Sequence, residues 1–333
     1  MKLTSLFNTL FLVASALASD IHITKNTDTV GNSEVNYGDV TVDSGITWNL
    51  VDAEYVHFHG DFDNEGDVYV TSDSASCAVN FKISGVNTKT TNSGQIVVSS
   101  GDSFTSPVFR IGGNTFENTG KIFFGGYGKT GLPIGEITSS SFHNNGLIAL
   151  YQDKRNSGLV KLGAFLGSLT NDGTVCLKNQ AFSQQGRILG TGCFDIGENG
   201  NVWIKSAALS ITETQNFYFS STGGSIRVEA VSAPQTFHVS NWGGDNVIGL
   251  SLPISEFGYS EDGILTVKCG LLPFYFDIGT GYDFNKMKQV TADFGTGIGT
   301  VINGGIVYQD DAPSSSRPSI CATCEDLPSA PSL

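Results

Sequence analysis

The stretch from residue 64 to residue 70, Asn-Glu-Gly-Asp-Val-Tyr-Val, carries the pattern that decides the fold. Its Asn-x-Gly start is typical of a turn, because glycine adopts positive φ easily and asparagine can bond its own backbone. The alternation that follows places β-branched residues on one face of a strand and polar or mixed residues on the other. The stretch therefore predicts a turn followed by a β-strand.

The same pattern recurs along the first two-thirds of the chain, and internal repeats of this kind indicate a repeat architecture. A glycine returns at intervals of 28, 28, 26, 26, 27 and 27 residues, and a β-branched residue always stands two positions after it. The glycines are Gly38, Gly66, Gly94, Gly120, Gly146, Gly173 and Gly200, and the asparagines two positions before the first six are Asn36, Asn64, Asn92, Asn118, Asn144 and Asn171. A weaker eighth repeat begins at Gly224, with Ile226 and Val228 in step.

One such strand cannot bury its apolar face alone, so successive repeats must stack to make a continuous core. The period-2 alternation and the many Gly and Asn residues exclude a helical solenoid. Stacked asparagines are expected to form a hydrogen-bonded ladder along the axis. The sequence therefore predicts an all-β chain whose residues 19–230 form a right-handed parallel β-solenoid (β-helix) of seven to eight coils.

The repeat fades after about residue 230, although strand-like runs continue. These runs are 236–239, 247–252, 264–267, 274–278 and 304–308. They lack the 27-residue period, so we predict a small antiparallel β-sandwich over residues 231–312 that caps the open end of the solenoid. Residues 313–333 are rich in Pro and Ser, which predicts an extended linker or the start of a stalk.

The N-terminus and the charge place the chain outside the cell. A single Lys2, a short apolar run and a small-x-small site predict a signal peptide over residues 1–18. No later run reaches the roughly 18 apolar residues that a membrane helix needs. With 18 Lys+Arg against 32 Asp+Glu, the net charge of −14 disfavours nucleic acid and anionic lipid as partners.

An even number of cysteines in a secreted chain indicates disulfides, although sequence alone does not give their connectivity. The last two form a Cys-x-x-Cys pair, for which a structural bridge is favoured over a redox or zinc site because no second such pair exists. The six cysteines are Cys77, Cys176, Cys193, Cys269, Cys321 and Cys324.

Acidic residues near the first repeats are candidates for chemistry. Asp39 and Asp67 each follow a repeat glycine, so in-register stacking would bring their carboxylates roughly 5 Å apart, near the spacing of a retaining glycosidase pair. Asp61 and Asp63 begin a stretch that resembles a calcium loop, but Ser72 stands where that loop needs Glu. A solvated acidic face is the favoured interpretation, with calcium binding and catalysis as alternatives.

Two histidines and three aromatic residues are further candidates. His57 and His59 alternate on one strand face, where a structural or exposed role is favoured over metal binding. Tyr69, Phe123 and Trp203 each stand three positions after a repeat glycine and should point outward, either to stack on a ligand or to lie under a neighbouring segment. No hydrolase elbow, zinc-protease or P-loop motif is present, and no cofactor is predicted.

The chain resembles the N-terminal heads of the hyphally regulated cell wall proteins of Candida-type yeasts, over nearly its whole length. The segments that carry the resemblance are 38–42 with Trp48, 144–152, 190–193, 203–205, 216–219, 249–253 and 272–283. The resemblance implies a β-solenoid followed by an α-crystallin-like sandwich, wall attachment through a stalk and a GPI signal, and no catalytic residues. It also implies a bridge between Cys176 and Cys193.

This chain lacks the stalk and the GPI signal of the family pattern, which favours an excised head. We therefore expect a secreted, non-enzymatic head at the cell wall that acts in adhesion, biofilm formation or host contact. Its expected partners are wall polysaccharide or a host glycan or protein, and a membrane only through a GPI anchor that this chain lacks. The alternatives are a polysaccharide-active lyase or hydrolase, and a structural or shielding component without a specific ligand.

Overall fold

The structure, a computed structural model, describes residues 18–31, 34–127, 134–155, 158–205, 209–230 and 235–332. The predicted signal peptide therefore lies outside the described residues, except for Ala18. The first 28 strands are β1 (Ile21–Ile23), β2 (Thr27–Val30), β3 (Glu34–Tyr37), β4 (Val40–Val42), β5 (Thr47–Val51), β6 (Tyr55–Phe58), β7 (Phe62–Asn64), β8 (Asp67–Ser72), β9 (Asn80–Ile83), β10 (Lys89–Asn92), β11 (Gln95–Ser100), β12 (Val108–Ile111), β13 (Thr115–Asn118), β14 (Lys121–Gly126), β15 (Ile134–Ile137), β16 (Ser141–Asn144), β17 (Leu147–Gln152), β18 (Leu159–Leu162), β19 (Ser168–Asn171), β20 (Thr174–Lys178), β21 (Ala181–Ser183), β22 (Arg187–Leu189), β23 (Cys193–Ile196), β24 (Asn201–Ile204), β25 (Asn216–Phe219), β26 (Ser225–Val228), β27 (Thr236–Ser240) and β28 (Val247–Leu250).

These strands form three parallel sheets, which we call faces A, B and C. Every third strand belongs to the same sheet: β1 to β22 make face A, β2 to β23 make face B and β3 to β24 make face C. One strand from each face makes one coil, so β1 to β24 form eight complete coils. Strands β25 and β27 then extend face B, and β26 and β28 extend face C. The predicted parallel β-solenoid of about eight coils is confirmed.

The core and the asparagine ladder follow from the repeated turn. The β-branched and aromatic residues of the three faces point inward into one continuous buried cluster. At the corner between faces A and B, each asparagine amide donates to the asparagine one coil further on. The five ladder residues are Asn64, Asn92, Asn118, Asn144 and Asn171, at N–O distances of 2.7 to 2.8 Å, and Gln215 continues the ladder.

The length of the coils varies, so Gly38, Gly200 and Gly224 do not precede a face B strand as the other repeat glycines do. Equivalent first positions of the face B strands, from Thr47 to His238, are 20, 28, 26, 26, 27, 19, 23 and 22 residues apart. The 27-residue period is therefore real only between Asp67 and Thr174. Gly38 precedes a face A strand and Gly200 precedes a face C strand, because the coils at both ends are shorter.

Beyond β28 the chain turns antiparallel but does not leave the two sheets. Face B is extended by β31, β30 and β29, and face C by β33 and β32. The α-crystallin-like sandwich is not confirmed, because Leu265, Phe276 and Ile306 of these strands belong to the same buried cluster as the coils. The extensions comprise β29 (Glu256–Tyr259), β30 (Ile264–Cys269), β31 (Leu272–Asp277), a 3₁₀ helix (Phe284–Lys286), β32 (Met287–Asp293) and β33 (Thr300–Tyr308). Among the described residues, no helix is long and apolar enough to cross a membrane.

Candidate functional site

Residues 313–332, which we call the tail, run back along face B towards the first coils. Cys321 is bonded to Cys193 on β23, and Cys324 is bonded to Cys176 on β20. All four predicted cysteines are thus in disulfides, but the expected pairing of Cys176 with Cys193 is wrong, as is a Cys321–Cys324 bridge. The two solenoid cysteines lie on adjacent coils, and each takes its partner from the tail.

The tail covers the middle row of outward side chains on face B. Leu327 and Ala330 pack against a row that includes Tyr69 and Phe123, which are 7% and 1% exposed. A Cβ atom at Gly125 would lie 2.3 Å from Leu327 Cδ2, so a larger residue there would displace the Leu327 side chain from its present position. Of the two interpretations given for Tyr69 and Phe123, cover by a neighbouring segment applies and ligand binding is corrected, because the tail occupies their surface.

Polar contacts hold the tail along its length. Arg317 pairs with Asp195, and its guanidinium carbon lies 4.4 Å from the centre of the Tyr218 ring. Further on, Glu325 accepts a 2.6 Å bond from Lys121. Near the second coil, Asn49 Nδ2 donates to the carbonyl oxygen of Pro331 at 2.9 Å. The tail therefore spans face B from the ninth coil to the second.

A groove opens between one side of the tail and face B. It holds a cavity of about 250 Å³, lined by Tyr151, Lys178, Glu198 and Asp326 among others. The Tyr151 ring lies 5.5 Å from the ring of Tyr127, and Lys178 Nζ lies 5.0 Å from its centre. We call this the tail groove. Its aromatic and polar lining is of the kind that binds small polar ligands or sugar residues.

The tail groove is electronegative, because its lining holds four carboxylates against Lys178. Burial raises the pKa of Tyr151, and the carboxylates of Asp153, Asp326 and Glu198 raise it further. Burial likewise raises the pKa of Tyr127, with added contributions from Tyr151 and Asp153. A groove with this charge favours neutral or cationic groups and offers carboxylate acceptors to sugar hydroxyls.

Asp195 lies at the floor of the groove under the tail. The residue is 0% exposed, and its carboxylate accepts hydrogen bonds from Ser220 and Arg317. Burial raises the pKa of Asp195 even though both of these partners favour the charged form. The buried carboxylate therefore depends on a residue of the tail for its charge partner.

The predicted pairing of Asp39 with Asp67 is wrong, because the two residues lie on different faces. Asp39 stacks beside Asp61 and accepts the Asp61 N–H at 2.8 Å, while Asp67 lies on face B between Thr47 and Gln95. The Asp39 carboxylate thus caps a backbone N–H group of the neighbouring coil and does not face Asp67. The retaining glycosidase geometry is therefore absent from this pair.

The remaining metal candidates are also engaged in local bonds. Asp61 accepts the backbone N–H of Lys89, and Asp63 accepts a hydrogen bond from the Thr91 hydroxyl. Across the described ranges, no group of three His, Cys, Asp or Glu is arranged to hold a metal.

The two histidines of the first coils pack against each other with their rings tilted by 39°. The rings of His57 and His59 lie 3.8 Å apart, and they bond to Ser84 and Asn36 respectively. Burial lowers the pKa of His57, and His59 and Lys82 lower it further. Both histidines thus have protein partners on face C and its corner.

Trp203 lies on face C and not in the row of Tyr69 and Phe123, because the shorter seventh coil shifts the register. It is half-buried and donates from Nε1 to Glu229 at 2.6 Å. Lys205 Nζ lies 4.5 Å from the centre of its ring. Of the three predicted ligand-binding aromatics, Trp203 alone keeps exposed surface.

The groove residues Tyr151 and Lys178 are not among the site residues predicted from sequence, although the repeat pattern contains information about their position. Both stand five positions after a repeat glycine, at Gly146 and Gly173, so the alternation already placed them outward on adjacent coils. What the sequence did not show was the path of the tail, which turns one side of this row into a groove.

Comparison with known proteins agrees with this fold. The family model described as the N-terminal region of hyphally regulated cell wall proteins matches residues 9–331. Cell wall protein IFF9 and Hyphally regulated cell wall protein 3, both of Candida albicans, are each 36% identical over 96% and 97% of this chain. The chain spans 35% and 26% of the lengths of these two relatives. The resemblance predicted from sequence is thus confirmed: the chain belongs to the hyphally regulated cell wall protein family and is a secreted protein of the cell wall.

Proposed function

We propose that this chain is the non-enzymatic head of a surface-exposed cell-wall protein that acts in adhesion, in biofilm formation or in contact with a host. The observation that carries the proposal is the tail groove, a cavity with an aromatic ring, a cation and several carboxylates on a rigid rod. The relatives are named as cell wall proteins and not as enzymes. The candidate ligand class is a neutral glycan of the wall or of a host surface.

Rigid construction of the groove supports this proposal. Its floor belongs to β17, β20 and β23, which are paired in register in the middle of face B. Its wall is the tail beside the Cys176–Cys324 disulfide, which keeps Asp326 close to Glu198 and Tyr151. A pre-formed site loses little conformational entropy on binding, so modest contacts suffice for selective recognition.

The path of the tail supports an outward-facing head. Because Pro331 lies at Asn49, any segment that follows residue 332 would leave the rod beside the second coil. The antiparallel extensions lie at the opposite end of the rod. In a longer protein of this family, those extensions would then be presented farthest from the point of attachment.

The test is an array of neutral oligosaccharides and matrix proteins, probed with the full chain and two variants. We expect saturable binding to at least one neutral glycan, and a loss of about fivefold or more in affinity for Tyr151→Ala, since aromatic contacts of this kind contribute about 1 kcal/mol or more. Tyr55→Ala is the matched control, because Tyr55 is 51% exposed on face C, away from the groove. Absence of binding to every probe would instead favour a structural or shielding role.

A further inference from the structure

Face C carries a row of cations along successive coils. His57, Lys82, Arg110, Glu136 and Lys161 are register partners on β6, β9, β12, β15 and β18, so their side chains project outward side by side. Farther along the same face, Trp203 pairs with Arg227, and Lys205 follows Trp203 by two residues. We call Lys82, Arg110, Lys161, Lys205 and Arg227 the cationic row.

This row contrasts with the charge of the whole protein. The chain has 32 acidic against 18 basic side chains, yet the row holds five cations beside two carboxylates, Glu136 and Glu229. At ~4.8 Å per coil, the row extends over roughly 29 Å from Lys82 to Arg227. A local excess of positive charge of this length focuses the field on one narrow strip of an otherwise acidic surface.

The carboxylates on face C neutralise only part of the row. Glu136 bonds to both Arg110, at 2.9 Å, and Lys161, at 2.7 Å. Arg227 pairs with Glu229 at 3.2 Å. Lys82 and Lys205 have no ion pair among the described residues, and Lys82 lies directly between His57 and Arg110. Adjacent like charges repel across neighbouring strands, so an external anion would relieve this repulsion.

The β32–β33 hairpin walls one side of the row. Its Phe294, Ile298 and Val301 pack on Ala181 and Trp203 of face C. The tip of the hairpin is held by a hydrogen bond in which the Arg155 guanidinium donates to the Thr296 carbonyl oxygen at 2.6 Å. The cations near Trp203 therefore lie at the foot of a step, which suits an extended chain better than a broad surface.

We propose that the cationic row binds a linear acidic polysaccharide, which lies along face C with its anionic groups on Lys82, Arg110, Lys161 and Lys205. This surface is independent of the tail groove and does not depend on the function proposed for that groove. Carboxylate, sulfate and phosphate groups share the chemistry that Lys and Arg recognise. The exposed part of Trp203, next to Lys205, adds apolar contact area for a sugar residue.

A single polysaccharide chain fits the row better than a membrane or a nucleic acid duplex. Both of the latter are wide polyanions that would also meet the acidic faces beside the row, where like charges repel. A narrow chain touches only the strip where the potential is positive. Its binding should weaken steeply as salt rises, because the contacts are exposed and screened.

The experiment measures binding of the full chain to immobilised heparin at about 50 mM and about 300 mM salt. Uncharged dextran serves as the negative probe. Polygalacturonate distinguishes carboxylate from sulfate, while inorganic polyphosphate and anionic lipid vesicles serve as polyanions that are not polysaccharides. We expect salt-sensitive binding to at least one acidic polysaccharide, and a loss of at least tenfold for the double variant Lys82→Glu/Lys205→Glu. The neutral double variant Lys82→Gln/Lys205→Gln should lose less, and it still tests the proposal if the first variant unfolds.

The matched control is Lys25→Glu/Lys268→Glu, which makes the same change in net charge at the first coil and in the antiparallel extension. An equal loss in this control would overturn the proposal, since it would show dependence on net charge alone. The proposal also fails if no acidic polysaccharide binds. Stronger binding to anionic lipid vesicles or to polyphosphate than to any acidic polysaccharide would likewise overturn it.

Discussion

Faces B and C share the same coils and the same core, but they differ in what lies on their outer side chains. On face B the tail covers Tyr69 and Phe123 and is bonded to β20 and β23 by two disulfides. On face C the row from Lys82 to Lys161 is exposed to solvent beside one hairpin. Because inward residues alone make the core, the outward residues of each face are free to serve different purposes.

The largest expected effect concerns the disulfides of face B. With Cys193–Cys321 intact, Cys176–Cys324 closes a ring of only about 20 residues, which in the chain-entropy model stabilises the fold by roughly 3 kcal/mol. Replacing both cysteines of one disulfide by alanine, as in Cys176→Ala/Cys324→Ala or Cys193→Ala/Cys321→Ala, should therefore lower the free energy of unfolding by ~3 kcal/mol. Removal of the second disulfide opens a loop of more than 120 residues and should cost ~5 kcal/mol more.

Urea unfolding of the two double Cys→Ala variants, and of the quadruple variant that lacks both disulfides, measures the loss of stability at each step. The control is Cys77→Ala/Cys269→Ala, because both of these cysteines are free and their loss opens no loop. Equal costs for the first and the second disulfide would contradict the nested-ring argument. Proteolysis of residues 313–332 only in the quadruple variant would show that the bonds hold the tail on face B.

Sequence reasoning predicted the inward half of the solenoid better than its outward half. The Asn-x-Gly period located five of the seven coils on one corner, because the ladder from Asn64 to Asn171 requires the same residue at each step. Asn36 and Gly38 show the same motif but lie on another face, where a short first coil shifts the register. Local turn chemistry is identical in both settings, so the motif alone could not separate them.

The path of the tail and the disulfide pairing were not predictable in the same way. Contacts such as Leu327 on Gly125 join residues about 200 positions apart, and no local pattern specifies them. The alternation after the repeat glycines places Tyr151 and Lys178 outward. It did not show which outward residues lie beside the tail, or that Lys82 and Arg110 are direct neighbours.

A smaller effect is expected on face C when the pH is lowered. Burial alone would raise the pKa of Glu136, but Lys161 and Arg110 outweigh it and hold the pKa below its usual value. A depressed pKa stabilises the fold above the unfolded-state pKa, and this stability is lost as pH falls through the folded-state pKa. At neutral pH, the free energy of unfolding of the wild type should therefore be ~1 kcal/mol larger than that of Glu136→Gln.

The difference should shrink as the pH falls below the usual range of a glutamate pKa and through the lowered pKa of the folded state. Unfolding free energies of the two proteins between pH 7 and pH 3 measure this. Glu117→Gln on face A is the control, since its ion pair with Lys89 is about half exposed on both sides and should contribute little. A difference that persisted at low pH would point to packing and not to charge.

The smallest expected effect is a gain in stability when Lys82 on face C is replaced by glutamate. This change tests whether the outward charges of face C serve the fold or a ligand. Lys82 lies between His57 and Arg110, so Lys82→Glu exchanges a like-charge neighbour for a cross-strand ion pair. We expect a gain of ~0.5 kcal/mol in urea unfolding with an unchanged m-value, and about half of that for Lys82→Gln. The same substitution should weaken binding to heparin. A change that strengthens the fold while it weakens polyanion binding would show that the row is kept for a ligand. If Lys82→Glu instead destabilises the fold, the charges of face C serve the structure itself.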